Sequence, residues 1–201
     1  MTIYQLKPAF QNLLRPLCQT LADRGTTANQ VTLAALQLSL ATGVIIWLSG
    51  GAQWALCLLP IVLFLRMALN AIDGMLAREH HMKSNLGAIL NELGDVLSDT
   101  ALYLPLATVP GMNRTLMVLT VILAIISEMT GVLALLVGAE RRYDGPMGKS
   151  DRAFAFGVLA LLLAAGVPAG LWLHIALFAI FVLLLLTIFN RAKRALAEGE
   201  A

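Results

Sequence analysis

Residues 61–100 read IVLFLRMALNAIDGMLAREHHMKSNLGAILNELGDVLSDT, an apolar stretch with a few polar side chains set into it. Positions 66, 70, 73 and 77 share one face of a helix, and positions 87, 91, 95 and 99 share one face of a second helix. The short segment 79–85 would join two antiparallel helices, so we expect the two faces to meet. The polar residues of this stretch are Arg66, Asn70, Asp73, Asn91, Glu92, Asp95 and Asp99.

Ionisable groups inside apolar helices are costly, which makes them candidates for a functional site. Several oxygen ligands on facing helices suit a hard divalent cation that bridges to diphosphate oxygens. Small residues would let a ligand approach the backbone closely. A structural alternative stays open, because polar groups can simply hold helices together. Arg66, Asp99 and Glu128, taken singly, could each be one half of a buried ion pair.

The composition indicates that lipid surrounds most of the chain. Of its 201 residues, 59% are hydrophobic and 13% are charged, against about 25% charged in a soluble domain. Six stretches reach the length of a membrane span, namely 31–50, 53–77, 86–109, 116–137, 153–167 and 171–189. The fifth is short, and either extends to Ala169 or begins inside the basic loop that precedes it, residues 140–152. We therefore predict an all-α integral membrane protein with six transmembrane helices.

An amphipathic helix is predicted over residues 3–21, before the first span. Its apolar face would contain Ile3, Leu6, Phe10, Leu13, Leu14 and Leu17. Such a helix lies in the membrane interface, and Pro8 and Pro16 would bend it. The predicted organisation is an interfacial segment over 1–30, a membrane domain over 31–190 and a cytoplasmic tail over 191–201.

Basic residues set the orientation. In a six-span arrangement twelve of the fourteen Lys and Arg residues fall on one side, Arg114 falls on the other, and Arg66 lies within a span. The positive-inside rule places both termini in the cytoplasm, which fits a bacterial inner membrane.

The net charge of +2 lies in short loops and indicates no nucleic-acid partner. Two cysteines give neither a disulfide framework nor a metal motif.

The polar stretch resembles the CDP-alcohol phosphotransferases, also called CDP-alcohol phosphatidyltransferases. That family carries Asp-x2-Asp-Gly-x2-Ala-Arg-x8-Gly-x3-Asp-x3-Asp across its second and third spans. Six of these eight fixed positions are kept here, at Asp73, Gly74, Ala77, Arg78, Gly87 and Asp95. The segment TANQVT at 27–32 is similar to the family's entry to the first span, and the chain as a whole looks most like the bacterial YnbA branch.

The resemblance implies transfer of a phosphatidyl group from a CDP-lipid, such as CDP-diacylglycerol, to an alcohol, with release of CMP. In the family the four acidic positions hold two divalent ions, Mg²⁺ or Mn²⁺, and the fourth activates the acceptor hydroxyl. By position these are Asn70, Asp73, Asn91 and Asp95, with Asp95 as the base. The resemblance also implies a homodimer, and acceptor binding by Lys149 and Arg152. The residues lining the nucleotide would be Gly74, Ala77, Arg78 and Gly87.

Two departures from the motif bear on activity. Asn70 and Asn91 replace aspartates, so each keeps a carbonyl ligand and loses a charge. Glu92 and Asp99 are the nearby acids that could substitute, and Asp95 with Asp99 could form the final pair in a shifted register. A degenerate lipid-binding protein without catalysis is the alternative function.

Overall fold

The structure, a computed structural model, describes residues 3–199, with side chains from Ala9 onward. Every regular element in this part of the chain is a helix, which confirms the predicted all-α class. Two 3-10 turns, Leu104–Thr108 and Ala134–Val137, continue α5 and α6. The α-helices are α1 (Ile3–Asp23), α2 (Ala28–Leu48), α3 (Gln53–Leu56), α4 (Leu58–Glu79), α5 (Asn85–Tyr103), α6 (Arg114–Leu133), α7 (Lys149–Ala164) and α8 (Leu171–Gly199).

Four helical stretches within residues 3–199 are long and apolar enough to cross a membrane. They are Ala28–Leu48, Gln53–Glu79, Arg114–Val137 and Leu171–Gly199. The third and fifth predicted spans form α5 and α7, which fall outside this set. Three acidic residues interrupt α5, and α7 has only 16 residues. Length and composition therefore support four spans, where six were predicted.

Local chemistry accounts for the helix ends that differ from prediction. Helix α5 stops at Tyr103, and Pro105 lies in the 3-10 turn that follows, because proline lacks the backbone N–H that an α-helix needs. Helix α7 begins at Lys149, inside the basic loop, which is one of the two predicted alternatives. The Asp151 carboxylate accepts a hydrogen bond of 3.0 Å from the Gly148 N–H and thereby caps this start.

The first compact unit contains Met1–Ala41 and Ile61–Asp99. Its core holds the buried side chains of Cys18, Val31 and Met75, which join α1, α2 and α4. Leu14 and Leu21 pack on this core, whereas Leu13 and Leu17 are exposed. The side of α1 that is buried therefore includes only part of the predicted apolar face. The side chains of Ile3 and Leu6 lie outside the described ones.

The second compact unit contains Thr42–Pro60 and Thr100–Ala201. Within it α6 packs on α8, and α3 packs on α7. The loop between α6 and α7 is fastened to α8 at Thr187, whose hydroxyl accepts a hydrogen bond of 2.9 Å from the Met147 N–H. Gly145 has φ +114°, and a Cβ there would lie 2.7 Å from the Thr187 Cα atom. Glycine is therefore required at this turn.

Candidate active site

In the first unit the two polar helix faces meet, as predicted. The Asn70 amide on α4 donates to Asp95 Oδ1 on α5 at 3.3 Å. One helical turn further along, Arg66 Nη1 donates to Asp99 Oδ1 at 2.9 Å. Arg66 Nη2 also lies 3.6 Å from Asp95 Oδ1. Asp95 thus faces a neutral amide on one side and a guanidinium on the other.

Helix α2 also contributes a residue to this site. The Thr32 hydroxyl donates to Asp73 Oδ2 at 2.8 Å, and the Asp73 side chain is buried. A hydrogen bond from a neutral hydroxyl to a buried carboxylate holds that carboxylate in one orientation. Thr32 belongs to the TANQVT segment, so the similarity of that segment to the family was the signal that could have identified it. The sequence did not predict its contact with Asp73.

At Gly87 and Gly74, side chains of neighbouring residues come close to the helix backbone. A Cβ at Gly87 would lie 2.7 Å from Asn29 Oδ1, and the Ser84 hydroxyl accepts a hydrogen bond of 2.9 Å from the Gly87 N–H. A Cβ at Gly74 would lie 3.1 Å from Arg78 Nη1, so the Arg78 guanidinium lies over the glycine backbone. A Cβ at Gly87 would force the Asn29 side chain to move, whereas a Cβ at Gly74 would require the Arg78 guanidinium to shift by only a few tenths of an ångström.

The donors that are present suit one divalent ion better than two. The motif positions supply carboxylates at Asp73 and Asp95 and amides at Asn70 and Asn91. Among the described residues no group of three or more His, Cys, Asp or Glu side chains could hold a metal ion. Two carboxylates and two amide oxygens match, in number and kind, the protein ligands of a single Mg²⁺ or Mn²⁺ ion whose shell is completed by water and phosphate oxygens.

The two acids that could substitute for the missing aspartates lie in different settings. Asp99 is buried, and its carboxylate pairs with Arg66. Glu92 is partly buried on α5, as is Asn91. Arg66 and Asp99 therefore form a buried ion pair, which was the structural alternative for both residues.

A second polar cluster lies in the second unit, around Glu128. Arg152 Nη2 donates to Glu128 Oε1 at 2.9 Å, and Arg141 Nη2 donates to Glu128 Oε2 at 3.1 Å. Arg191 Nη1 is 3.4 Å from Glu128 Oε1. Glu128 is thus also a member of a buried ion-pair network. The guanidinium of Arg152, one of the predicted acceptor ligands, is 1% exposed and bound to Glu128, while Lys149 is partly buried at the start of α7.

The loop next to this cluster contains a further carboxylate, Asp144. A hydrogen bond from Arg142 Nε, 2.8 Å long, lowers the pKa of Asp144 below its ordinary value. Arg194 lies 2.7 Å from the same carboxylate, and the Glu198 carboxylate binds Arg142 from α8. These pairs tie the loop to the last turns of α8.

The family model for CDP-alcohol phosphatidyltransferase matches residues 25–196. The chain belongs to the CDP-alcohol phosphatidyltransferase family. Within that family it is 49% identical over 196 residues to the inner membrane protein YnbA of Escherichia coli K12, with 98% of this chain and 97% of YnbA covered. The family and branch that the motif indicated are thereby confirmed.

Two solved structures share the fold of this family member. Both are of the phosphatidylinositol phosphate synthase PgsA1 of Mycobacterium tuberculosis. The one with CDP-DAG bound has a TM-score of 0.75 at 20% identity, covering 90% of this chain and 92% of PgsA1. The one with manganese and citrate has a TM-score of 0.74 at 19% identity, covering 90% and 87%. Together with the four helices of spanning length, the family identifies an integral membrane protein.

Proposed function

We propose that this chain transfers a phosphatidyl group from a CDP-activated lipid, such as CDP-diacylglycerol, to an alcohol and releases CMP. The observation that carries the proposal is the contact of Asn70 on α4 with Asp95 on α5, in the same unit of the fold as Asp73, Arg78 and Gly87. The family membership supports the reaction class. The CDP-DAG of one PgsA1 structure supports the donor, and the manganese of the other supports a divalent ion.

The chemistry follows from the residues in the site. Asp95 takes the proton of the acceptor hydroxyl, whose oxygen forms a bond to the phosphorus that carries the lipid. The bond from that phosphorus to the bridging oxygen breaks, and the oxygen leaves with CMP. Arg78 pairs with the diphosphate. A Mg²⁺ or Mn²⁺ ion held by positions 70, 73, 91 and 95 would offset the negative charge on the phosphate oxygens.

The nucleotide would lie against the glycine positions. Gly74 and Gly87 carry no Cβ, and Ala77 carries only a methyl group. The Arg78 guanidinium lies beside Gly74, and the Asn29 and Ser84 side chains lie beside Gly87. A planar base or a ribose approaches backbone most closely where no Cβ intervenes. This supports the assignment of the three small residues and Arg78 to the nucleotide.

We also propose six spans with both termini in the cytoplasm, as in the sequence prediction. Helix α5 has an exposed apolar stripe, Leu86, Ile89, Leu93 and Leu97, each more than half exposed. Its acidic residues lie on the other side. Such a helix can face lipid with one side and a polar site with the other. The proposal includes an interfacial position for α1 and a homodimer. It also includes the division of the chain into an interfacial segment up to residue 30, a membrane domain up to residue 190 and a cytoplasmic tail.

The acceptor alcohol is the open part of this function. Lys149 and Arg152 are proposed to bind an anionic acceptor, in which case Arg152 would exchange part of its contact with Glu128 for the ligand. We would supply purified protein with glycerol, glycerol phosphate, inositol phosphate, serine and phosphatidylglycerol in turn. Preference for phosphorylated alcohols that is lost in Lys149→Gln would support this assignment. The same preference in the natural protein and in Lys149→Gln, or no preference in the natural protein, would contradict it.

The experiment that tests the function is CMP release from CDP-diacylglycerol in detergent, with Mn²⁺ added or chelated. We expect release only with the metal and an alcohol present. The second candidate function, a lipid-binding protein without catalysis, is favoured by the two asparagines at acidic motif positions. Binding of CDP-diacylglycerol without CMP release under any of these conditions would support that candidate.

A further inference from the structure

Arg66 is a buried cation whose hydrogen bonds are incomplete. Its side chain is 5% exposed, and its Nη1 atom donates a hydrogen bond to Asp99 Oδ1. The Nε and Nη2 atoms have no hydrogen-bond partner within the described residues. Nη2 nevertheless lies 3.6 Å from Asp95 Oδ1, close enough for charge attraction. A buried guanidinium with unsatisfied N–H groups is expensive unless it neutralises something nearby.

The charges around Asp95 account for this arrangement. Asp73 and Asp95 together carry two negative charges, and the pair of Arg66 with Asp99 is neutral. One divalent ion balances the two carboxylates. A second ion beside Asp95 would leave two excess positive charges and would face the Arg66 guanidinium, in a site screened less than bulk water. Four carboxylates would balance two divalent ions in total charge, but an ion beside Asp95 would still face the Arg66 Nη2 atom, which lies 3.6 Å from Asp95 Oδ1.

We propose that Arg66 takes the place of a second divalent ion beside Asp95, so that this chain holds one ion where a four-aspartate site holds two. The proposal rests on the metal dependence in the proposed function. The asparagines at positions 70 and 91 and the guanidinium of Arg66 then belong to one change, from a site for two ions to a site for one. The fixed cation supplies positive charge on the Asp95 side without the need for a second ion to bind.

The test counts Mn²⁺ ions per chain on purified protein in detergent, using CDP as the nucleotide probe and the electron paramagnetic resonance signal of free Mn²⁺. We expect one ion for the natural sequence and one for Asn70→Asp with Asn91→Asp. Adding Arg66→Gln to that pair should raise the count to two. Arg66→Lys in the same background should keep one ion. Arg15→Gln, which removes an exposed arginine paired with Glu79 in the same unit, is the matched control and should leave every count unchanged.

A second variant covers the case in which Arg66→Gln fails to fold because Asp99 loses its partner. Arg66→Gln with Asp99→Asn removes both charges, and in the Asn70→Asp, Asn91→Asp background it should again bind two ions. Two ions on the natural sequence, none at all, or a single ion on every variant lacking Arg66 would overturn the proposal. The count needs no turnover. One bound ion without CMP release would refute the proposed function alone, and CMP release with two bound ions would refute this proposal alone.

Discussion

At the scale of single residues, Thr32 is the contact that the structure adds to the motif. Its hydroxyl is 2.8 Å from Asp73 Oδ2. A hydrogen bond to a charged acceptor is worth about 1.5–3 kcal/mol, so Thr32→Val should raise the half-saturating Mn²⁺ concentration for CMP release at least about tenfold. Thr32→Ser keeps the hydroxyl and should remain close to the natural protein. Equal metal dependence in all three proteins would show that the bond does not position Asp73.

The two asparagines give a second prediction at this scale. Each replaces a carboxylate that would contact the ion directly, so Asn70→Asp with Asn91→Asp should lower the half-saturating Mn²⁺ concentration. The measurement is a Mn²⁺ titration of CMP release for both proteins. An unchanged half-saturation would show that positions 70 and 91 are not ligands. Turnover that appears only in the restored variant would identify the natural chain as a non-catalytic binder.

Much of the site could be predicted from spacing, and some of it could not. Helical periodicity places positions 66, 70, 95 and 99 on facing sides, and the structure joins them. The choice of partner within that set depends on side-chain rotamers, so the approach of Arg66 to Asp95 was not predictable. The contact of Thr32 with Asp73 depends on how α2 lies along α4. No periodicity within a single helix contains that information.

At the scale of elements, Glu128 holds α6, α7 and α8 together through arginines. Its carboxylate contacts Arg141, Arg152 and Arg191, and its side chain is 9% exposed. Glu128→Gln leaves buried guanidinium groups without a counter-charge, which should cost about 3–5 kcal/mol of folding free energy. Thermal unfolding in detergent should show a clear loss of stability. Glu140→Gln, at an exposed residue of the following loop, is the control, and equal unfolding temperatures for the two variants would contradict the role of Glu128.

The element boundaries show which local signals a sequence carries. The start of α7 at Lys149 was one of two alternatives, and its cap, Asp151, is visible in the sequence. The break at Cys57 between α3 and α4 was not predicted, because residues 53–77 form one apolar run. An apolar run sets the length of a membrane segment, but it does not specify where the backbone hydrogen bonding changes within it.

At the scale of the whole molecule, topology is the property to test. A membrane-impermeant maleimide applied to intact cells should leave cysteines at Lys83 and Lys149 unlabelled and should label a cysteine at Gln53. Gln53 serves better than the neighbouring Gly51, because Gly51 has φ +73° and a Cβ there would lie 2.6 Å from the Val109 side chain. The background would lack Cys18 and Cys57. Labelling at Lys83 or Lys149 from outside would contradict the six-span arrangement.

The central claim is that this chain catalyses phosphatidyl transfer with Asp95 as the base. The most direct measurement supplies purified protein in lipid nanodiscs with CDP-diacylglycerol, Mn²⁺ and the panel of alcohols, and quantifies CMP and new phospholipid together by mass spectrometry. We expect equal amounts of both products with one of the alcohols, and a loss of about 100-fold or more in Asp95→Asn, which should still bind the CDP-lipid. No phospholipid from the natural protein, or undiminished turnover in Asp95→Asn, would contradict the claim.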